Sequence, residues 1–167
     1  IRAFRHRPRL DWRVLGQDTA DYLLDSGWIP SHLEVAYESL AEDVLSLVEQ
    51  RFDEAEPLRT LRLHGDCHPG NVLWTDKGPH FVDLDDCMTG PAVQDLWMLL
   101  SGRPEEMRAQ LDDIVEGYQE FADFDQHETA LIEPLRTLRI MHHAGWLARR
   151  WNDPAFPRAF PWFQEPK

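Results

Sequence analysis

One stretch of this chain, residues 60 to 86, has a strand-like period, and the readable segments on either side of it are helical. That contrast restricts the fold to a mainly helical α+β class with a small sheet. Leu61-Arg62-Leu63 alternates, Val72-Leu73-Trp74 is a short β-prone run, and His80-Phe81-Val82-Asp83-Leu84 is another. Thr75-Asp76-Lys77-Gly78 separates the last two and predicts a hairpin. Ser31 and Glu34 form an S-x-x-E capping pattern after Pro30. Leu33, Tyr37, Leu40, Val44, Leu47 and Val48 follow at helical spacing, which predicts a helix over about 31–52 with those residues as its apolar stripe. Pro91 opens a segment containing Leu96, Trp97, Leu99 and Leu100, and Gly102 ends it. Pro104-Glu105-Glu106 starts the next helix, with Leu111, Ile114, Val115, Tyr118 and Phe121 facing inward. Asp125 and Glu128 suggest a third cap before Leu131, Leu135, Leu138, Met141 and His142, and Pro134 marks a boundary or kink.

The length, 167 residues, suits a single domain, 1–167, with no internal repeat or low-complexity linker. Thirty acidic residues against 17 basic ones give a net charge of −13, the opposite of a nucleic-acid footprint. The arginines Arg2, Arg5, Arg7, Arg9 and Arg13 read as a solvated arm entering the domain. The longest apolar run, Leu96 to Leu100, is far short of the ~20 residues that span a bilayer, so no membrane partner is expected. Two cysteines, Cys67 and Cys87, exclude a disulfide scaffold and read as small hydrophobes before they read as a redox switch. With no signal segment the expected location is the cytoplasm. The start at Ile1 and the Pro- and aromatic-rich tail from Pro154 to Pro166 read as the ends of a fragment.

The chemistry concentrates in Leu63-His64-Gly65-Asp66-Cys67-His68-Pro69-Gly70-Asn71 and Phe81-Val82-Asp83-Leu84-Asp85-Asp86. Gly65, Pro69 and Gly70 predict an irregular loop, so the polar residues between them need not keep helix or strand spacing. Phosphoryl transfer needs such a set. One carboxylate orients the acceptor hydroxyl and takes its proton, while an amide oxygen and a second carboxylate hold Mg²⁺ against nucleotide phosphates. His64-x-Asp66-x-x-x-x-Asn71 has the spacing of a kinase catalytic loop, and Asp83 lies across the predicted hairpin, where a metal-binding Asp belongs.

These segments resemble the aminoglycoside phosphotransferase and choline kinase superfamily of protein-kinase-like folds. With Gly90-Pro91-Ala92-Val93-Gln94-Asp95-Leu96-Trp97 and the tail Trp151-Asn152-Asp153-Pro154-Ala155-Phe156-Pro157, they look like its bacterial stress-kinase branch. The resemblance implies the C-terminal lobe of a kinase-like fold, with a catalytic loop at 63–74, a metal-binding segment at 80–86 and a small β-hairpin at the catalytic cleft. It implies a serine/threonine protein kinase of the stress response that uses ATP as co-substrate and Mg²⁺ as cofactor. Asp66 matches the proton acceptor, Asn71 the Mg²⁺-binding amide, and Asp83 the acid that serves metal, nucleotide and catalysis together. Leu84-Asp85 replaces Phe-Gly. Asp95 matches the buried acid that braces the catalytic loop through backbone N–H groups. No G-x-G-x-x-G is present, and the only lysines are Lys77 in the turn and Lys167 at the end. The N-terminal lobe is therefore expected to be absent, and the 167 residues alone are expected to transfer phosphate negligibly.

Rival readings use the same residues. His64-x-Asp66-x-His68 suggests a metal-dependent hydrolase, but no G-N-H loop accompanies it, since Gly70-Asn71 is followed by Val72. A small-molecule kinase acting on aminoglycosides, choline or amino alcohols would suit the acidic charge. A non-catalytic binding lobe is the reading outside enzymology. His64 reads as a loop organiser, His68 as either an acceptor contact or loop packing, and Asp85 and Asp86 as the edge of the site. His142 and His143 point about 100° apart on a helix and so do not share a metal. The tryptophans read as core, with Trp146 and Trp151, near Arg149 and Arg150, as alternative groove residues.

Overall fold

The structure, a computed structural model, describes residues 7–163. Arg2, Arg5 and the tail end at Pro166 and Lys167 lie outside the described residues. The chain divides into two compact units, Ile1–Leu10 with Arg51–Glu133, and Asp11–Gln50 with Pro134–Lys167.

The first unit holds every described strand. β1 (Leu61–Leu63) pairs antiparallel with β4 (Met88–Gly90), Arg62 opposite Thr89. The entering chain lies along the other edge of β4. Leu10 N–H donates to the Thr89 carbonyl at 2.8 Å, and Thr89 N–H donates to the Pro8 carbonyl at 2.9 Å. The Arg7 guanidinium donates to the Asp85 carbonyl at 2.7 Å. Part of the basic segment read as a solvated arm is therefore structural, because its backbone completes the ladder of a three-residue strand.

β2 (Val72–Thr75) and β3 (Gly78–Phe81) form the expected hairpin, with Val72 opposite Phe81 and Thr75 opposite Gly78. The predicted second strand ran to Leu84, but β3 stops at Phe81. Asp83 has φ +61°, a left-handed conformation that cannot continue a strand. Beyond the sheets, α3 (Val93–Leu96) is a single turn that tightens into a 3-10 turn at Trp97–Leu99. α4 (Pro104–Gln119) starts where Pro104 predicts, and Glu106 accepts the Arg103 N–H at 2.8 Å. Val115 is buried but Phe121 is 89% exposed, because α4 ends at Gln119 and the predicted stripe overruns it.

The second unit is helical in its described residues. It contains α1 (Asp18–Asp25), which has no counterpart among the predicted elements, most of α2 (Glu34–Ala55) and α5 (Ile132–Arg150), and α6 (Ala155–Ala159). The stripe predicted for α2 is displaced. Ala41, Leu45 and Val48 are buried, whereas Leu40 and Leu47 are 62% and 60% exposed. The leucines run in two adjacent rows, and the row beside Ala41 is the one that allows close packing. Leu45 and Leu138 meet at Gly16, leaving no room for a Cβ there. Pro134 sits in the first turn of α5, where the N–H it lacks would have no helical partner.

Trp151 packs edge-on to Trp28 at 6.1 Å, and Trp146 stacks on His143 at 5.6 Å. Both indoles belong to an aromatic cluster but are only half-buried, and Trp74 and Trp162 are exposed, so the core reading holds for the buried Trp97 and not for these. The Pro- and aromatic-rich tail carries α6 and a 3-10 turn at Pro161–Phe163. Among the described residues, no helix is long and apolar enough to cross a membrane. The observed architecture is the mixed α+β, mostly helical arrangement expected, with two small antiparallel pairings.

Candidate active site

The loop from His64 to Asn71 is built almost entirely from side chains that bind backbone. Gly65 has φ +88°, and the Asp86 carbonyl presses against the position a Cβ would take, so only glycine fits there. His64 Nδ1 accepts the Asp66 N–H at 3.3 Å, while Nε2 lies 2.8 Å from the Val82 carbonyl and must carry the proton to bind it. His68 Nδ1 accepts the Gly70 N–H at 3.0 Å, capping the 3-10 turn Pro69–Asn71. The neutral tautomer therefore carries its proton on Nε2, which stands 3.6 Å from Asp66 Oδ2.

Asp66 and Asn71 meet directly. Asn71 Nδ2 donates to the Asp66 carbonyl at 2.9 Å and reaches Asp66 Oδ2 at 3.4 Å. With its amide nitrogen turned to Asp66, the buried Asn71 has its carbonyl oxygen as the end not engaged in these two bonds. Asp83 is tied to this pair through the backbone of its neighbour. Val82 N–H donates to the Asn71 carbonyl at 3.0 Å and Val82 O is held by His64. The three predicted site residues thus share one loop system in the first unit. Asp83 is exposed and left-handed, a conformation that Asp tolerates better than most residues and that recurs at functional sites.

Asp95 braces the loop as the resemblance implied. Its carboxylate accepts the His64 N–H at 2.7 Å and the Gly65 N–H at 2.9 Å. Burial pushes its carboxyl above the usual range, against the pull of those two bonds. Burial likewise pushes the Cys67 thiol up to about 11, with Asp95 and Asp66 adding to the shift, so Cys67 is an inert packing residue.

Two residues of the site escaped sequence reading. Gln94 is 7% exposed and donates to the Gly65 carbonyl at 3.1 Å. Its signal was an amide set among the apolar Val93, Leu96 and Trp97. Glu128 is 2% exposed, and its carboxylate accepts the Val93 N–H at 3.0 Å. The Asp125–Glu128 pair looked like a cap, and Asp125 does cap, accepting the His127 N–H at 2.9 Å. Glu128 turns instead to another element.

No group of three or more His, Cys, Asp or Glu able to hold a metal occurs among the described residues. The donors here, one amide oxygen and one carboxylate, are hard oxygen ligands of the kind Mg²⁺ takes when phosphates and waters fill its remaining positions.

The sequence and the loop geometry converge on one class. The family of phosphotransferase enzymes matches over residues 2–132, and the chain belongs to it. Within that family the similarity is to bacterial stress response kinase A. The Escherichia coli K12 protein of that name is 48% identical over 159 residues, covering 95% of this chain and 48% of the relative. The Shigella flexneri protein is 46% identical over the same length and shares. The Salmonella typhimurium serine/threonine protein kinase RdoA is 48% identical over 163 residues, 96% of this chain and 48% of the relative. The chain spans about half the length of the curated relatives it matches.

Proposed function

We propose that this chain supplies the acceptor- and metal-binding part of an ATP- and Mg²⁺-dependent phosphotransferase, the C-terminal lobe of a protein-kinase-like enzyme. Asp66 orients the acceptor hydroxyl and takes its proton. Asn71 and Asp83 are the residues that would hold Mg²⁺, which neutralises charge on the nucleotide phosphates when bound. The observation that carries this reading is the Asn71 amide directed at Asp66, which joins the two residues and uses the amide nitrogen rather than the oxygen to do so. Catalysis then rests on positioning and electrostatics, with no covalent intermediate on the protein. The phosphate grip, a glycine-rich loop and a strand lysine, comes from residues outside these 167, so the chain by itself transfers negligibly. ATP use points to the cytoplasm.

The names of the relatives support Ser/Thr hydroxyls of proteins as acceptors, in a stress response. One observation favours a second reading. In the helical unit, Asp21, Asp25, Glu34 and Glu38 line a recess of about 440 Å³ with Leu24. Four carboxylates around one recess suit a cationic amino alcohol or aminoglycoside. The deciding experiment measures ATP-dependent transfer by the longest natural form of the protein. Casein-like acceptors and autophosphorylation are set against a panel of amino alcohols and aminoglycosides, with Asp66→Asn as control. Turnover confined to the panel would replace the protein-kinase reading. Transfer unaffected by Asp66→Asn would refute the role assigned to Asp66, and Asp66-dependent transfer by the 167 residues alone would refute their inactivity.

A further inference from the structure

The loop that carries Asp66 is held from behind by one short helix, and that helix is itself held by a buried acid. α3 applies Asp95 to the amides of His64 and Gly65 at 2.7 and 2.9 Å, and the Gln94 carboxamide to the Gly65 carbonyl at 3.1 Å. Three backbone groups just before Asp66, on three successive peptides, are therefore fixed from two adjacent residues. A helix of four residues cannot set its own orientation, because a single turn scarcely repays the cost of nucleating it. Its start must be anchored, and Ala92 at the N-cap makes no side-chain capping bond.

The anchor is Glu128. Its carboxylate, 2% exposed and far along the chain, accepts the Val93 N–H at 3.0 Å. Val93 itself is fully buried. A carboxylate placed so deep carries a solvation cost, and burial pushes the Glu128 carboxyl above its ordinary range. The local turn does not need it there, since Asp125 already caps that turn through the His127 N–H at 2.9 Å. What the buried charge does accomplish is to satisfy the first amide of the helix that carries Gln94 and Asp95, that of Val93.

We infer that Glu128 is a positioning residue for phosphoryl transfer. It fixes α3 and, through Asp95 and Gln94, the backbone on which Asp66 is presented to the acceptor. The phosphoryl-transfer half of this statement rests on the function proposed above. Glu128 touches none of the reacting groups, and its effect passes entirely through α3.

The test compares Glu128→Ala and Glu128→Gln with the parent. Amide hydrogen exchange is read on the 167-residue chain, and kcat and KM on the longest natural form. Removing the acceptor of a buried N–H raises local opening by about 10- to 100-fold, so Glu128→Ala speeds exchange at Val93, His64 and Gly65 by that factor and leaves the α4 amides unchanged. Glu128→Gln keeps an acceptor oxygen and gives the same pattern at roughly 3- to 10-fold. In transfer, Glu128→Ala lowers kcat by about 10- to 100-fold with the nucleotide KM within about threefold, and Glu128→Gln recovers most of the loss.

Unchanged exchange at His64 and Gly65 overturns the inference. So does acceleration spread evenly over α4, which marks a general loss of stability. Should the alanine variant fail to fold, the exchange pattern of Glu128→Gln decides by the same criterion. An active parent with selective exchange but unaltered kcat also overturns the positioning role. A parent that transfers no phosphate ends the functional reading, while the exchange result still decides whether Glu128 holds the loop.

Discussion

Gly65→Ala separates two kinds of strain that the loop would suffer. At φ +88° an alanine is in left-handed territory, which costs about 1–2 kcal/mol on its own. The new Cβ would also overlap the Asp86 carbonyl oxygen, and the Met88 methyl lies 3.3 Å from it. Met88 can rotate away; a backbone carbonyl cannot. Relief requires moving either the His64–Asp66 backbone, which Asp95 and Gln94 hold, or the turn that follows Asp83. Overpacking of that kind adds about 1–3 kcal/mol, for a total of roughly 2–5 kcal/mol. Gly78 supplies the control, because it has φ +104° and nothing within 4 Å of its would-be Cβ. Gly78→Ala therefore carries only the conformational cost of about 1–2 kcal/mol. Urea unfolding of both variants, analysed with the parental slope, reads the difference directly. If Gly65→Ala is no more destabilising than Gly78→Ala, the close approach of the two loops is not a constraint and the reasoning fails.

On the function proposed, Asp66→Asn is expected to lower transfer by about 10²–10⁴-fold in the longest natural form with an unchanged unfolding midpoint, and Asp83→Ala to weaken Mg²⁺–nucleotide binding most; equal loss of folding in both would refute these roles. Cys67 is 6% exposed with its thiol pushed up to about 11, so alkylation at pH 8 modifies Cys87 first and Cys67 only on unfolding, as peptide mapping by mass spectrometry would show. The Arg103 N–H and guanidinium hold the Glu106 carboxyl below its ordinary value of 4.5. A depressed acid stabilises the fold above that unfolded value and loses the contribution as pH falls through the folded one, so the first turn of α4 should fray only on acidification below 4.5, and Glu106→Gln should remove that pH dependence in NMR titration. Burial holds the Asp95 carboxyl above its ordinary 3.8, the opposite sign. Its charge costs the fold stability at neutral pH, and the cost is released as pH falls from the folded pKa towards 3.8; a carboxyl titrating at or below 3.8 in ¹³C NMR would contradict this.

What the sequence made legible was local. The hairpin is written in adjacent residues, β-prone runs around Asp76-Lys77, and the α4 start in Pro104 with Glu106 three places after Arg103. That Asp66, Asn71 and Asp83 belong to one loop system was readable because their spacing is itself the motif. Glu128 and Gln94 were not, because each acts across about 30 residues of chain on another element's backbone, and a capping pair such as Asp125–Glu128 satisfies the eye locally. The α2 stripe was misaligned for a related reason. Leucines at 33, 40 and 47 outweigh Ala41 in any hydrophobic reading, yet the small side chain marks the face that packs.

The polar groups of the loop are also unequal in what they can do, and the bonds decide which. His64 spends both ring nitrogens on backbone, one accepting from Asp66 N–H and one donating to Val82 O. A ring fixed in one tautomer between a donor and an acceptor cannot exchange a proton with a substrate without breaking the loop. His68 has committed Nδ1 to Gly70 N–H, and its Nε2 faces Asp66. Asn71 is a hydrogen-bond group that does not titrate. Asp66 is then the loop's one carboxylate, held by Asn71 and lying on backbone that Asp95 braces, with 19% of its side chain still open to solvent. Substituting His64 should therefore alter where Asp66 and Asp83 sit, whereas substituting Asp66 should alter whether a proton is accepted. The two changes look alike in activity and differ in the backbone exchange of residues 64–66.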